Sequence, residues 1–347
     1  MPKMTAQEKL NLVIRNTQEI VTSEELKKLI ETKDTPVVYI GTAVTGRPHI
    51  GYFVWGTKVA DFLRAGFKVK ILLADVHGAL DNCPWPLLEK RFEYYSLVIR
   101  AMLKSSGANL DNLEIVKGSD FQLKKDYMLD VLKLSTFSSV HDAMKAASDV
   151  VKFGDNPKLS GLIYPLMQAL DEQYLGVDIQ YGGVDQRKIM MFARENLHLV
   201  GYKPRIEFMT PLVPALSASG KMSSSDPSSK IDLLEKTADI KSKLNKAFCP
   251  EKEVENNGVM AFMKYVVMVR KEDSKEPLII TRPEKFGGNL SIKNYTELES
   301  IYKEGKLHPM DLKTAMVAEI DKLIEPIRKD FVGKEKLIEE AYPLVKK

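Results

Sequence analysis

One stretch narrows the possible folds more than any other. Val37-Val38-Tyr39-Ile40 is followed by Gly41, a polar loop over 42–48, an apolar run over 49–65 closed by Gly66, and a second apolar run over 67–74. A short β-branched run stopped by glycine reads as a buried strand. The longer run, with Gly66 behind it, reads as a helix with a glycine stop. Strand, Gly/Thr loop, helix and strand in this order open an α/β domain of the nucleotide-binding kind. The stretch carries neither G-x-G-x-x-G nor G-x-x-x-x-G-K-[ST]. It is therefore neither an ordinary dinucleotide fold nor a P-loop NTPase.

The rest of the chain extends this pattern. Residues 5–33 set Leu10, Val13, Ile14, Ile20, Leu26, Leu29 and Ile30 at helical spacing, which predicts packing helices, with Ser23 as an N-cap before Glu24-Glu25. Pro84 and Pro86 open a long helix, and 113–116 is a third strand followed by Ser119-Asp120-Phe121-Gln122. Residues 124–160 are helical by pattern and read as an insertion. A further strand over 177–181 closes on Gly182-Gly183, and a helix starts at Asp185. From residue 236 the pattern is helical, over 240–248, 259–269, 295–302 and 312–327. The expected fold class is α/β. A Rossmann-like parallel-sheet catalytic domain over 1–235, with the helical insertion, precedes an α-helical domain over 236–347.

Composition removes several classes. The 347 residues are 44% hydrophobic and 28% charged, enough for a sizeable core in a soluble chain. The net charge is +4, from 51 basic and 47 acidic side chains, with no basic block, so any nucleic-acid surface must be a local patch. Residues 236–347 hold 22 basic and 19 acidic side chains, which on charge alone reads as a solvated helical domain. Cys83 and Cys249 lie far apart, without metal-ligand or redox spacing. No membrane span or signal core is visible, and the expectation is a cytoplasmic protein without a dedicated metal site.

Three polar features stand out. His49, in Pro48-His49-Ile50-Gly51-Tyr52, falls at the strand-to-helix junction, where helix N–H groups attract anions; it is either an anion donor or an ordinary helix-start histidine. Gly220-Lys221-Met222-Ser223-Ser224-Ser225 joins a mobile ammonium to hydroxyls, as a phosphate-binding loop or a solvated surface loop would. Tyr164, Gln168, Asp171 and Leu175 stand at i, i+4, i+7 and i+11 of one helix, and so share a face. That face is either a solvent stripe or the wall of a polar pocket. Gly182-Gly183 permits close backbone approach by a ligand, and Asp185 either accepts from ribose hydroxyls or caps a helix.

Pro48-His49-Ile50-Gly51 on the first βα turn, with Lys221-Met222-Ser223-Ser224-Ser225 a domain later, resembles the two ATP motifs of class I aminoacyl-tRNA synthetases. The fourth motif position, usually a second His, is Tyr52. Further stretches resemble the tyrosyl-tRNA synthetases of the eukaryotic and archaeal branch: Tyr39-Ile40-Gly41-Thr42-Ala43, Ala74-Asp75-Val76-His77, 164–171, 182–188, 282–288 and 308–313. The resemblance spans essentially the whole chain.

The resemblance implies the following roles. Tyr39 and Asp171 hold the phenol hydroxyl of L-tyrosine; Tyr164, Gln168 and Gln186 hold its ammonium and carboxylate; His77, Phe121, Gln122 and Leu175 complete that pocket. Ala43, His49, Gly51, Gly183, Asp185 and Val213 meet ATP, and Lys221, Met222, Ser223, Ser224 and Ser225 approach its phosphates. Arg187 and Lys188 meet the acceptor stem of tRNA(Tyr), and Phe286, His308 and Asp311 read the anticodon. Magnesium arrives with ATP, and the chain forms a homodimer. Tyrosine attacks ATP to give tyrosyl-adenylate and pyrophosphate, and the tRNA 3′ end then takes the tyrosyl group. A tryptophan-specific relative and a catalytically silent RNA-binding paralogue are the competing readings. Tyr39 and Asp171 oppose the first, and the two ATP motifs oppose the second.

Overall fold

The computed structural model describes residues 4–217 and 230–343. Helix α1 (Ala6–Ile14) opens on a reciprocal cap in which Thr5 Oγ1 accepts from the Glu8 N–H and the Glu8 carboxylate accepts from the Thr5 N–H. A three-residue strand, β1 (Glu19–Val21), separates α1 from α2 (Ser23–Thr32), so the expected helical run over 5–33 is broken. Three residues are too few for strand alternation to show between two amphipathic helices. Thr22, not Ser23, caps α2, accepting from the Glu25 N–H, and Ser23 becomes the first helical residue.

The α/β portion then runs β2 (Val37–Ala43), α3 (Tyr52–Arg64), β3 (Lys68–Ala74), α4 (Asp75–Leu80), α5 (Leu88–Ser105) and β4 (Leu113–Lys117). It continues through α6 (Ser119–Gln122), α7 (Lys125–Ser135), α8 (Val140–Ala147), α9 (Leu159–Tyr174), β5 (Ile179–Gly183), α10 (Arg187–Asn196) and β6 (Ile206–Thr210). Strand order is β1-β6-β5-β2-β3-β4, with β2 to β6 parallel and β1 antiparallel on the edge beside β6. Chain order reverses at β2, which has β3 on one side and β5 on the other. That reversal opens a crevice at the carboxyl ends of both strands.

Helix α3 starts at Tyr52, three residues later than the sequence suggested. His49 instead bridges Asp232 as an isolated β-bridge, and the Ile50 N–H donates to Ile231 O. The helix ends as expected, with Gly66 at φ +84° turning the chain into β3.

Alternation along the strands sorts the two faces of the sheet. Val38, Ile40, Val69, Ile71, Ile179, Tyr181, Ile206 and Phe208 join one buried cluster with Phe53, Phe62, Val98 and Met102 of α3 and α5. Tyr39, Leu72 and Ala74 face the other way, toward Leu175 and Val177 just beyond α9. Helices α7 to α10 cover that side through Tyr127, Val131, Met167, Leu170 and Ile189.

The last third contains α11 (Thr237–Lys246), then α12 (Gly258–Phe262) continuing through a π-helical stretch (Met263–Met268) into α13 (Val269–Ser274). A hairpin of β7 (Leu278–Ile280) and β8 (Leu290–Ile292) precedes α14 (Tyr295–Lys303), α15 (Pro309–Asp330) and α16 (Glu335–Ala341). The helical pattern is therefore interrupted by two strands too short to announce themselves. Met316, Ile320 and Leu323 of α15 belong to the same buried cluster as Phe62 and Ile71, so apolar burial is continuous from the sheet into the C-terminal helices. An ion network ties the same parts. Arg15 contacts Asp61 of α3 at 2.6 Å and Asp273 of α13 at 2.7 Å, and Arg64 contacts Asp273 at 2.8 Å. Among the described residues, no helix is long and apolar enough to cross a membrane.

Candidate active site

A cavity of about 380 Å³ occupies the crevice. Tyr39 to Ala43 from the end of β2 and Gln180 to Gly183 from the end of β5 form its floor. Helix α9 contributes Tyr164, Gln168 and Asp171; the turn after β5 contributes Asp185 and Gln186; the segment after β6 contributes Pro211, Leu212 and Val213. His49, Gly51, Tyr52 and Trp55 close it from the start of α3. The polar face of α9 is thus a pocket wall and not a solvent stripe.

Asp171 is the pivot of the closed end. It is 1% exposed, and its Oδ1 accepts from Gln122 Nε2 at 2.8 Å and lies 2.8 Å from the Tyr127 hydroxyl. Burial pushes its carboxyl up to about 7, while the Gln122 and Tyr127 donors pull the other way. Its Oδ2 stands 3.9 Å from His77 Nε2, outside hydrogen-bond range. Burial holds His77 down to about 4, hence neutral at pH 7. The His77 ring meets Tyr164 edge-on at 4.6 Å, and its Nδ1 lies 3.3 Å from Gln122 Nε2. Tyr39 is buried, and desolvation with the Asp171 charge holds its phenol far above its ordinary value, so it keeps its proton. Gln168 Nε2 donates to Gln186 Oε1 at 3.1 Å, bracing α9 against the turn after β5.

At the open end, His49 is pushed down to about 3 by burial and by the nearby Lys230 charge. Its Nδ1 accepts from the Gly51 N–H at 3.2 Å, which leaves the proton on Nε2. His49 is therefore a neutral donor. Tyr52 sets its ring edge-on to His49 at 5.2 Å and against Trp55 at 5.6 Å, with its hydroxyl 3.3 Å from Thr42 Oγ1. The crowding at the paired glycines comes first from the protein: a Cβ at Gly182 would meet Met190 at 2.9 Å, and one at Gly183 would meet Asp185 at 2.7 Å.

Other expected residues lie elsewhere. Gln122 and Leu175 are buried behind the cavity wall, Gln122 against Asp171 and Leu175 against Tyr39, and Phe121 packs on Tyr127 at 5.6 Å. Arg187 forms an ion pair with Glu19 at 2.7 Å, and Lys188 one with Asp149 at 2.8 Å. Phe286 is 59% exposed, and His308 caps α15 by accepting from the Met310 N–H, with Asp311 in the first turn. Lys221, Met222, Ser223, Ser224 and Ser225 lie outside the described residues. Several contributors were not anticipated. Tyr127 comes from the insertion, Gln180 from mid-strand, and Trp55 and Thr210 from apolar surroundings. Gly118 is another: a Cβ there would meet Gln122 Oε1 at 2.5 Å. Its neighbour Ser119 donates its N–H to Asp75 Oδ1 at 2.8 Å.

This geometry can be set beside known proteins. The profile of the family described as tRNA synthetases class I (W and Y) matches residues 31–325. The cytoplasmic tyrosine–tRNA ligase of Gallus gallus is 49% identical over 341 residues, covering 97% of this chain and 64% of that protein. The cytoplasmic enzyme of Saccharomyces cerevisiae is 47% identical over 347 residues, with 97% and 88% covered. The chain thus spans just under two thirds of the length of the vertebrate relative. Among solved structures, tyrosyl-tRNA synthetase from Archaeoglobus fulgidus, complexed with L-tyrosine, superposes with a TM-score of 0.87 at 37% identity, covering 94% of this chain and 99% of that one.

Proposed function

The chain belongs to the class I tRNA synthetases of the tryptophan and tyrosine group, and on that premise we propose that it is a tyrosine–tRNA ligase. The observation that carries the choice of amino acid is the closed end of the cavity. Asp171 has Oδ1 occupied by Gln122 and Tyr127 and lines the cavity together with the protonated Tyr39, whose hydroxyl reaches Gln168 O at a long 3.5 Å. An acceptor next to a donor matches a phenol, which gives one proton and takes one. An indole N–H satisfies Asp171 alone. A phenyl ring satisfies neither, leaving Asp171 without a further donor and Tyr39 with only its long contact to Gln168 O, a rejection for which tyrosyl-tRNA synthetases are themselves the standard illustration.

Tyr164, Gln168 and Gln186 then receive the ammonium and carboxylate. His49 Nε2–H, Gly51, Ala43, Gly183, Asp185 and Val213 receive ATP, with Lys221, Met222 and Ser223 to Ser225 carried over from the family motif. The tyrosine carboxylate attacks the α-phosphorus as the bond to pyrophosphate breaks. The terminal ribose hydroxyl of tRNA(Tyr) then attacks the adenylate carbonyl and AMP leaves. The chain's part is to align reactants and to donate toward phosphate oxygens from a neutral, preorganised imidazole. Magnesium travels on the ATP phosphates, a hard cation that keeps much of its own water.

Arg187 and Lys188 serve the acceptor stem, and Phe286, His308 and Asp311 the anticodon, with a domain boundary near 235. The exposed aromatic ring of Phe286 supports this, being suited to stack on an unpaired base. A homodimer is supported by an apolar groove lined by Leu129, Leu132, Phe137 and Leu199, of which Leu132 is 61% exposed. A cytoplasmic location is supported by the names of the relatives. ATP–pyrophosphate exchange with tyrosine, tryptophan and phenylalanine tests the assignment. Exchange with tyrosine alone is expected, and exchange driven by tryptophan overturns it.

A further inference from the structure

Beneath the cavity lies a row of polar side chains of which the proposed reaction uses Tyr39 alone. Lys70, Tyr39, Gln180 and Glu207 are cross-strand neighbours on β3, β2, β5 and β6. Residues alternating with them pack against α3 and α5, so the row leaves the sheet on the α9 side. Lys70 is accounted for by its bond to Leu175 O at 2.7 Å. Glu207 is not. It is fully buried, it lies in the interior of the sheet, and neither of its carboxyl oxygens meets a donor among the described residues. Glu172 of α9 is in the same condition, and its charge reaches Glu207. Gln180 lines the cavity, yet its Oε1 is buried and unpartnered.

The surrounding charges do not relieve these oxygens. Arg194 donates to Val21 O and Glu25, Arg205 donates to Gln173 Oε1 at 2.7 Å, and the remaining Arg205 Nε–H is buried without reaching either carboxylate. Glu25, Asp171, Arg194, Arg205 and Tyr39 are the other titratable or charged groups that face the pair. Two ionised carboxylates without donors cannot share such a site. Burial favours the protonated form of both, helped by the Asp171 charge at Glu172 and the Glu172 site at Glu207 and opposed by Arg194 and Arg205, which leaves Glu172 pushed up to about 8 and Glu207 well above its ordinary value. A protonated carboxyl is a donor, and the adjacent unpartnered acceptor is Gln180 Oε1.

We propose that Glu207, backed by Glu172, is a positioning residue for the amino-acid pocket: its carboxyl O–H donates to Gln180 Oε1 and turns the Gln180 amide N–H toward the cavity beside Tyr39. The role rests on reading that cavity as the tyrosine pocket. Glu172 is itself held protonated by burial, so the row reaches the ligand as a neutral hydrogen-bonding relay.

Infrared difference spectroscopy of the ligand-free chain, comparing the unsubstituted protein with Glu207→Gln at pH 7, is expected to show a buried carboxylic-acid carbonyl band that the substitution removes. In exchange kinetics, Glu207→Leu is expected to raise the tyrosine KM about tenfold, the loss of one well-made hydrogen bond, with the ATP KM unchanged. Glu207→Gln restores the KM, because its amide donates in the same place. In a Gln180→Ala background, Glu207→Leu adds nothing further. Absence of the acid band, equal damage from Gln and Leu, or additive effects at 180 and 207 each overturn the proposal. The infrared arm needs neither ligand nor the leucine variant. Failure of the unsubstituted chain to activate tyrosine overturns the functional reading and leaves the carboxyl assignment to the spectrum.

Discussion

At the scale of single residues, Asp171 governs the site through what its two oxygens do. Oδ1 is held by Gln122 and lies 2.8 Å from the Tyr127 hydroxyl, whose single proton it shares with Met167 O at 2.7 Å, so removing that hydroxyl takes away a shared donor to a buried carboxylate. Tyr127→Phe should therefore cost roughly 1.5–3 kcal/mol of tyrosine binding, read as a higher tyrosine Kd by titration with ATP binding unchanged. The acidity of Asp171 gives a second test. Its folded-state value near 7 lies above the ordinary 3.8, and a tyrosine hydroxyl donates to the ionised form. Tyrosine affinity is therefore expected to fall as pH drops below about 7 and to level off above it. Asp171→Asn should bind weakly with no such slope; a slope that survives in that variant would assign the titration to another group. His49 carries no comparable switch, since burial keeps it neutral well below physiological pH.

Elements explain why those residues meet. Helix α9 presents Tyr164, Gln168 and Asp171 because they lie four and three residues apart, and this was legible in the sequence. The βαβ opening of β2, α3 and β3 was legible too, because β-branched runs and Gly66 leave few alternatives. The supports were not. Tyr127 lies in α7 and reaches Asp171 across 44 positions of sequence, Gln180 acquires meaning only beside Glu207, and β1, β7 and β8 have three residues each, below the length at which alternation is a signal. The tight turn at Gly118 offers a test at this scale. A methyl there intrudes on Gln122 Oε1 and on Asp75 at 2.8 Å, so Gly118→Ala should weaken tyrosine binding without contacting the ligand. Titration of this variant giving wild-type tyrosine affinity would show that Gln122 can shift without disturbing Asp171. The cap on α1 is independent of the site. Thr5→Ala should cost about 1 kcal/mol of stability, measured by denaturant unfolding, and leave kinetics unchanged.

Across the whole molecule, the N-terminal arm, α3 and α13 are joined through Asp61, which is 1% exposed and receives Arg15, Arg64 and Lys58. Asp61→Ala leaves the buried Lys58 ammonium with the carbonyls of Val13 and Arg15 but no carboxylate, and leaves Arg15 with Asp273 alone, so a loss of about 3–5 kcal/mol is expected as a lowered midpoint in chemical unfolding. A change within experimental error would mean that the three cations find other partners. The same arm fixes the order of events during synthesis. Its edge strand pairs with 207–209, and Arg15 bonds Asp273, 258 positions later. On the ribosome this arm emerges long before the partners it pairs with and must wait for them. Chains stalled before 206 should leave the arm open to protease, and chains stalled well beyond 273 should protect it. Until then the nascent sheet exposes an unpaired margin, the interval in which a chaperone has most to bind.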